Sequence, residues 1–197
     1  GYSAISLYGV SYGTRVAQHY MRQHPERVRA AILDGVVPAE KALGPDIALV
    51  AQHALDATLA RCAADPRCNQ AFPHIAQRFA DLRARVQKHP VVLSIPDPLT
   101  AQPTKATLGD AQLGAAVRLL TYADETSSIL PLLIHEAQIA ERPQAFAAQY
   151  LMIRDTLEEQ LAQGMHFSVV CSEDAPRWAQ ENVSYEALAQ TYMGAAF

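Results

Sequence analysis

No apolar run in this chain reaches the ~18 consecutive positions expected of a membrane-spanning helix, so a membrane span is not expected. Basic residues are neither abundant nor clustered. Sixteen Lys and Arg stand against 20 Asp and Glu, for a net charge of −4. The absence of a basic stripe argues against nucleic acid as the main partner. No fixed-period repeat and no low-complexity tract occurs, which leaves solenoids and disordered linkers aside. No secretory leader precedes the first strand pattern, and this carries no weight if the chain is cut from a longer precursor. Cysteine is scarce, with three in 197 residues. What is abundant is apolar: half the residues are hydrophobic and only 18% are charged. A packed core is therefore expected, in one domain or one domain carrying an insertion.

Two of the cysteines are close together. Cys62 and Cys68 lie in "RCAADPRCNQAFP". In a continuous helix, residues six apart lie ~9 Å apart along the axis, too far for a disulfide. Pro66 argues against a continuous helix, and a bend there would bring the sulfurs together. Three readings stand: a local disulfide, two free buried thiols, or a poorly specified zinc site that adds His74. In an oxidising compartment the bridge is the expectation. Cys171, in "SVVCSED", has no obvious partner within the chain. No metal and no cofactor is called for.

The pattern of the chain is that of an interrupted parallel sheet. "AISLYG" reads as a buried strand ending at Gly9, "YGTRVAQHYMRQHP" as a helix closed by Pro25, and "VRAAILDGVVP" as a second strand over residues 28–33 that turns at Asp34-Gly35. Strand, helix and strand within about thirty residues make a βαβ unit, hence parallel pairing. From residue 44 to about 164 the chain becomes mostly helical, with amphipathic stretches such as "HIAQRFADLRARVQKH", a β-branched, proline-punctuated hairpin candidate in "VVLSIPDPLTAQPTKATL", and helix breaks at Pro131 and Pro143. An insertion this long needs its own structure and reads as a lid. "MHFSVVCSED" then resumes a strand pattern, apolar over residues 167–171, and "VSYEALAQTYMGAAF" reads as a closing helix capped at Ser184. The expected organisation is a core segment over residues 1–40, a helical lid over 41–164 and a return to the core over 165–197. The fold class is α/β: parallel strands with a large helical insertion.

At the first strand-to-helix junction lies Gly9-Val10-Ser11-Tyr12-Gly13. A Gly-x-Ser-x-Gly spacing suits a nucleophilic serine for mechanical reasons. The serine sits on a tight, strained turn, and its neighbours two residues away must be small where strand and helix approach closely. The turn lifts the hydroxyl above the sheet, and the backbone N–H of Tyr12, at the positive end of the helix, points where an oxyanion would develop. The five residues alone are a weak signal. An apolar strand before them and a helix after them supply the context that strengthens it.

"SLYGVSYGTRVAQHYMRQHPERVRAAILDGVVP" resembles the nucleophile region of α/β-hydrolase peptidases related to proline iminopeptidase, and most of all their secreted bacterial tripeptidyl-aminopeptidase-like branch. "YGVSYGTR", the following "LDGV", "RCAADPRCNQAFP" and "SVVCSEDAP" carry the resemblance, which is strongest over residues 5–38 and 165–178. It implies a partial α/β-hydrolase fold, a periplasmic or secreted parent, and a serine exopeptidase that acts near the free N-termini of peptides, with a helical cap forming the pocket.

Such an enzyme orders its triad as Ser, then Asp or Glu, then His. Ser11 is present. Asp34 reads as a turn former, although a few lipases place their acid there. His53, His74, His89 and His135 fall on lid helices or beside turns, and His166 precedes its strand. The remaining triad members are therefore expected outside this chain, which on this reading is the middle of a hydrolase and inactive alone. Binding a peptide's free ammonium group requires a carboxylate near the pocket, for which Glu173 is the first candidate and Asp174 the second. "CSEDAP" reads equally as a helix-entry cap. Two other readings remain: an esterase or lipase of the same fold, and a non-catalytic helical binding module. Unpaired sheet edges further predict association into an oligomer.

Overall fold

The apolar run before Gly9 is a strand, β1 (Ile5–Val10), and the run after Pro25 is another, β2 (Val28–Asp34). Between them Tyr12–Gln23 form α1, which ends before Pro25 as proline's missing N–H requires. The strands pair in parallel, from Ser6 opposite Ala30 to Val10 opposite Asp34. The βαβ reading is thus realised, and the turn at Asp34 is made by Gly35 in the left-handed region, φ +64°. The computed structural model describes residues 1–160, 162–180, 184–189 and 191–195. They fall into two units, residues 1–43 with 170–181 and residues 44–169 with 182–197.

The first unit has an unusual interior. Its buried residues include the polar Thr14, Arg15 and Asp174 beside Ala17 and Ala42. Its larger apolar side chains, Tyr8, Val10 and Ile32, lie exposed on one face of the strand pair. Parallel strands ordinarily lie within sheets covered on both faces, so this face is uncovered where burial would be usual.

The second unit is helical: α2 (Pro45–Ala64), α3 (Pro66–Ala71), α4 (Ile75–Lys88), α5 (Asp110–Leu120), α6 (Asp124–Ser128), α7 (Leu130–Gln138), α8 (Gln144–Gln160), α9 (Gln163–Val169), α10 (Tyr185–Ala189) and α11 (Tyr192–Ala195). It also holds the expected hairpin, with β3 (Val91–Pro96) antiparallel to β4 (Pro103–Leu108). Residues at helical spacing line its core. On α4 these are Ile75, Phe79, Leu82 and Val86, all buried, each worth roughly 1.5–3 kcal/mol of transfer free energy. Pro131 stands in the first turn of α7 and Pro143 immediately precedes α8, as the breaks predicted.

The cysteine loop is organised by a helix cap. Asp65 ends α2 and caps α3, its Oδ1 accepting from the N–H groups of Arg67 (3.0 Å) and Cys68 (2.8 Å). Pro66 occupies the first helical position, where its missing N–H costs nothing. The bend brings the Cys62 and Cys68 Cα atoms to 5.1 Å, and the two form a disulfide. Cys171 is a free, exposed thiol.

The architecture is therefore mixed α/β and mostly helical, with two two-stranded sheets. A complete α/β-hydrolase sheet is not present among the described residues. One expectation is overturned: residues 167–171 are not a strand. They lie in α9 and in a wider π turn, Val170–Asp174. A short apolar run does not by itself distinguish strand from helix. A strand would need a neighbour for its backbone groups, whereas a helix satisfies most of them internally, as His166 N–H does on the Ala162 carbonyl at 2.9 Å.

Candidate functional site

Ser11 stands between β1 and α1 with φ +50° and ψ −121°, outside every basin that side-chain-bearing L-residues favour. Backbone strain of this kind costs of order 1–3 kcal/mol and persists only where the surroundings enforce it. Here they do. Ser11 N–H donates to the Asp34 carbonyl (2.9 Å), and the Ser11 carbonyl accepts from Thr14 N–H (2.9 Å) and Thr14 Oγ1 (2.6 Å). The residue is exposed, and among the described residues its hydroxyl has no hydrogen-bond partner.

The two glycines of the motif differ in what requires them. A Cβ on Gly9 would lie 2.5 Å from the Gly13 carbonyl oxygen and 3.0 Å from Thr14 N, both backbone atoms. A Cβ on Gly13 would meet nothing within 4 Å. The expectation that close approach demands both glycines is thus corrected: sterics require only the one before the serine. Tyr12 opens α1, which places its N–H among the four that a helix start leaves unsatisfied within the helix.

Beyond Tyr12 lies an open groove of about 520 Å³, lined by Tyr12, Arg15, Val16, His19, Ala39, Glu173 and Arg177. The groove belongs to the first unit alone. Glu173 enters it with a side chain 41% exposed. Its Oε1 accepts the Tyr12 hydroxyl at 2.8 Å, and its Oε2 lies 3.4 Å from Arg15 Nη1. Burial, then the hydrogen bond to Glu173 and that residue's charge, push the Tyr12 phenol above its ordinary value against the opposing pull of Arg15. At neutral pH the phenol is therefore a donor.

Asp174 is differently placed. It is 1% exposed and faces the protein, with Oδ1 accepting from Arg15 Nη1 (2.9 Å) and from Leu43 N–H (2.9 Å). Of the two candidate acids, only Glu173 is open to the groove. Sequence reasoning missed Arg15, which is 7% exposed and also donates to the Lys41 carbonyl. The local hint is its phase, between buried Thr14 and Ala17 on α1. Arg177 completes the cluster, donating to the carbonyls of Ala39, Glu40, Lys41 and Glu173.

Asp34 does not serve Ser11 as an acid. Its carboxylate accepts the Tyr8 hydroxyl at 3.2 Å, and its carbonyl holds the Ser11 N–H. His53, His74, His89, His135 and His166 all belong to the second unit, and His19, in the first, bonds Gln23 at 2.9 Å. Among the described residues no group of His, Cys, Asp and Glu could hold a metal ion, and no helix is long and apolar enough to cross a membrane. No family model, curated protein or solved structure matches the chain.

Proposed function

We propose that this chain carries the nucleophile of a serine exopeptidase that hydrolyses peptide bonds near the free N-termini of peptides. The observation that carries the reading is the backbone of Ser11, a strained non-glycine residue on a strand-to-helix turn with its hydroxyl exposed. Strain concentrates at functional sites, and a nucleophile elbow uses it to project its oxygen. The Tyr12 N–H supplies one oxyanion donor, and Glu173 the carboxylate that receives the substrate's ammonium group. The acid and the histidine of the triad come from polypeptide outside this chain, as do the elements that cover the face of Tyr8, Val10 and Ile32. The Cys62–Cys68 bridge fits a secreted or periplasmic parent.

A fluorophosphonate probe tests the reading. A longer polypeptide extended by its native flanking sequence reacts rapidly and stoichiometrically at Ser11, and Ser11→Ala abolishes the reaction. The 197-residue chain reacts at least several hundred-fold more slowly, in line with the roughly 10⁴-fold or greater losses that follow removal of triad members. An inert extended polypeptide refutes the nucleophile assignment. Rapid labelling of the chain alone refutes the missing triad. With the extended polypeptide, faster turnover of an aminoacyl naphthylamide than of its N-acetylated counterpart supports the exopeptidase, and turnover of a nitrophenyl ester alone favours an esterase.

A further inference from the structure

The groove beyond Tyr12 is lined by one acid, Glu173, and two arginines, with a second acid, Asp174, buried behind them; this balanced set would be a poor receptor for a cation if the charges were shared evenly. They are not. Arg15 Nη1 lies 2.9 Å from Asp174, 1% exposed, and 3.4 Å from Glu173, 41% exposed. The shorter contact is also the drier one, and charge pairs in a dry interior attract more strongly than pairs that water screens. Arg177 spends its donors on four backbone carbonyls and approaches Asp174 at 3.6 Å. Both cations are thereby drawn toward the buried acid.

We infer that Asp174 is a specificity-determining positioning residue: by holding the charge of Arg15 inside the protein, it leaves the Glu173 carboxylate negative for an incoming ammonium group. This rests on the amine-binding reading of Glu173. Asp174 touches no substrate. It fixes Arg15, and through Leu43 N–H it fixes the segment that bears Ala39 and Lys41. Without its charge, Arg15 turns to Glu173 as its remaining acid, and the groove acquires a net positive charge. Asn at this position keeps the acceptor for Leu43 N–H while removing the charge.

The test uses the 197-residue chain and two probes, trialanine amide with a free N-terminus and the same peptide N-acetylated, with binding followed through the NMR amide shifts of Tyr12 and Gly13. The wild-type chain binds the free amine about ten-fold or more tightly than the acetylated peptide. Asp174→Asn brings the two affinities within about two-fold. Adding Arg15→Gln to Asp174→Asn removes the competing cation and restores the preference. A pair with a structural role alone would change the affinities of the free and the acetylated peptide together, whereas loss of the uncompensated carboxylate weakens binding of the free amine only. If Asp174→Asn does not fold, the double variant decides by itself, because replacing both members of a buried ion pair is commonly tolerated where removing one is not. A preserved preference in Asp174→Asn, or a folded double variant with none, overturns the inference. Absence of any preference in the wild type overturns the amine reading and this inference together, and leaves the fluorophosphonate result on Ser11 to stand or fall alone.

Discussion

Replacing each glycine of the Ser11 motif by alanine should give opposite results. At Gly9 the new Cβ would lie 2.5 Å from the Gly13 carbonyl oxygen, where carbon and oxygen ordinarily keep about 3.3 Å or more. The strand and the first turn of α1 must therefore part by about 0.8 Å, and both obstructing groups are backbone, with no flexible side-chain tip to yield. Overpacking of this kind costs typically 1–3 kcal/mol, and the rigidity of the obstruction puts Gly9→Ala near about 3 kcal/mol. Gly13→Ala meets open space within α1, and alanine in a helix gains up to about 1 kcal/mol over glycine. Trp178 is the sole tryptophan and belongs to the same unit, its indole N–H donating to the Leu43 carbonyl at 2.9 Å. Its fluorescence therefore follows this unit during urea unfolding. With slopes of about 1–3 kcal/mol per molar urea, the two variants should differ in midpoint by roughly 1–4 M, Gly9→Ala below the wild type and Gly13→Ala at or above it. Coincident midpoints, or greater damage at Gly13, would refute the reasoning from backbone approach.

Further outcomes are expected. The native chain should titrate one thiol, Cys171, and gain two daltons and two more thiols on reduction. Cys68→Ser should lower the stability of the helical unit by about 2 kcal/mol through loss of a short loop constraint. Three native thiols would sink this. Tyr192 is held above its ordinary value, first by burial and then by the Asp110 charge, with Arg83 opposing. Its raised value in the folded state means that its contribution is complete below about pH 10 and is lost as pH rises beyond that. Tyr192→Phe should flatten the alkaline fall in stability by up to about 1.4 kcal/mol per pH unit, and an unchanged slope would show that the phenol ionises freely when folded. The exposed face of Tyr8, Val10 and Ile32 should make the chain self-associate at micromolar concentration, and Ile32→Lys should reduce this. Sedimentation showing only a monomer for the wild type would contradict it.

Much of this protein is local and could be read from its residues alone. The strand, Ser11 turn and α1 follow one another within about twenty positions: an apolar run marks the strand, Gly9 lets the turn close against the helix, and helical spacing marks α1 up to Pro25. The Cys62–Cys68 bridge rests on one proline and one capping aspartate inside the loop it closes, so its geometry needs nothing distant. The helices of the second unit announce themselves by spacing, and the hairpin by its β-branched residues and prolines. Tertiary structure decided the rest. Residues 167–171 are apolar and β-branched enough for a strand, and they became helical because a strand depends on neighbours that local sequence does not encode. The difference between Gly9 and Gly13 is invisible in a symmetrical motif and emerges only when a Cβ meets the backbone of the next turn. The separate fates of Glu173 and Asp174 are the clearest case. They are adjacent acids in one short run, yet one lies open to the groove and the other is buried. Arg15 and Leu43, distant in the chain, make that distinction, because a buried carboxylate is stable only where a cation and an N–H are brought to it.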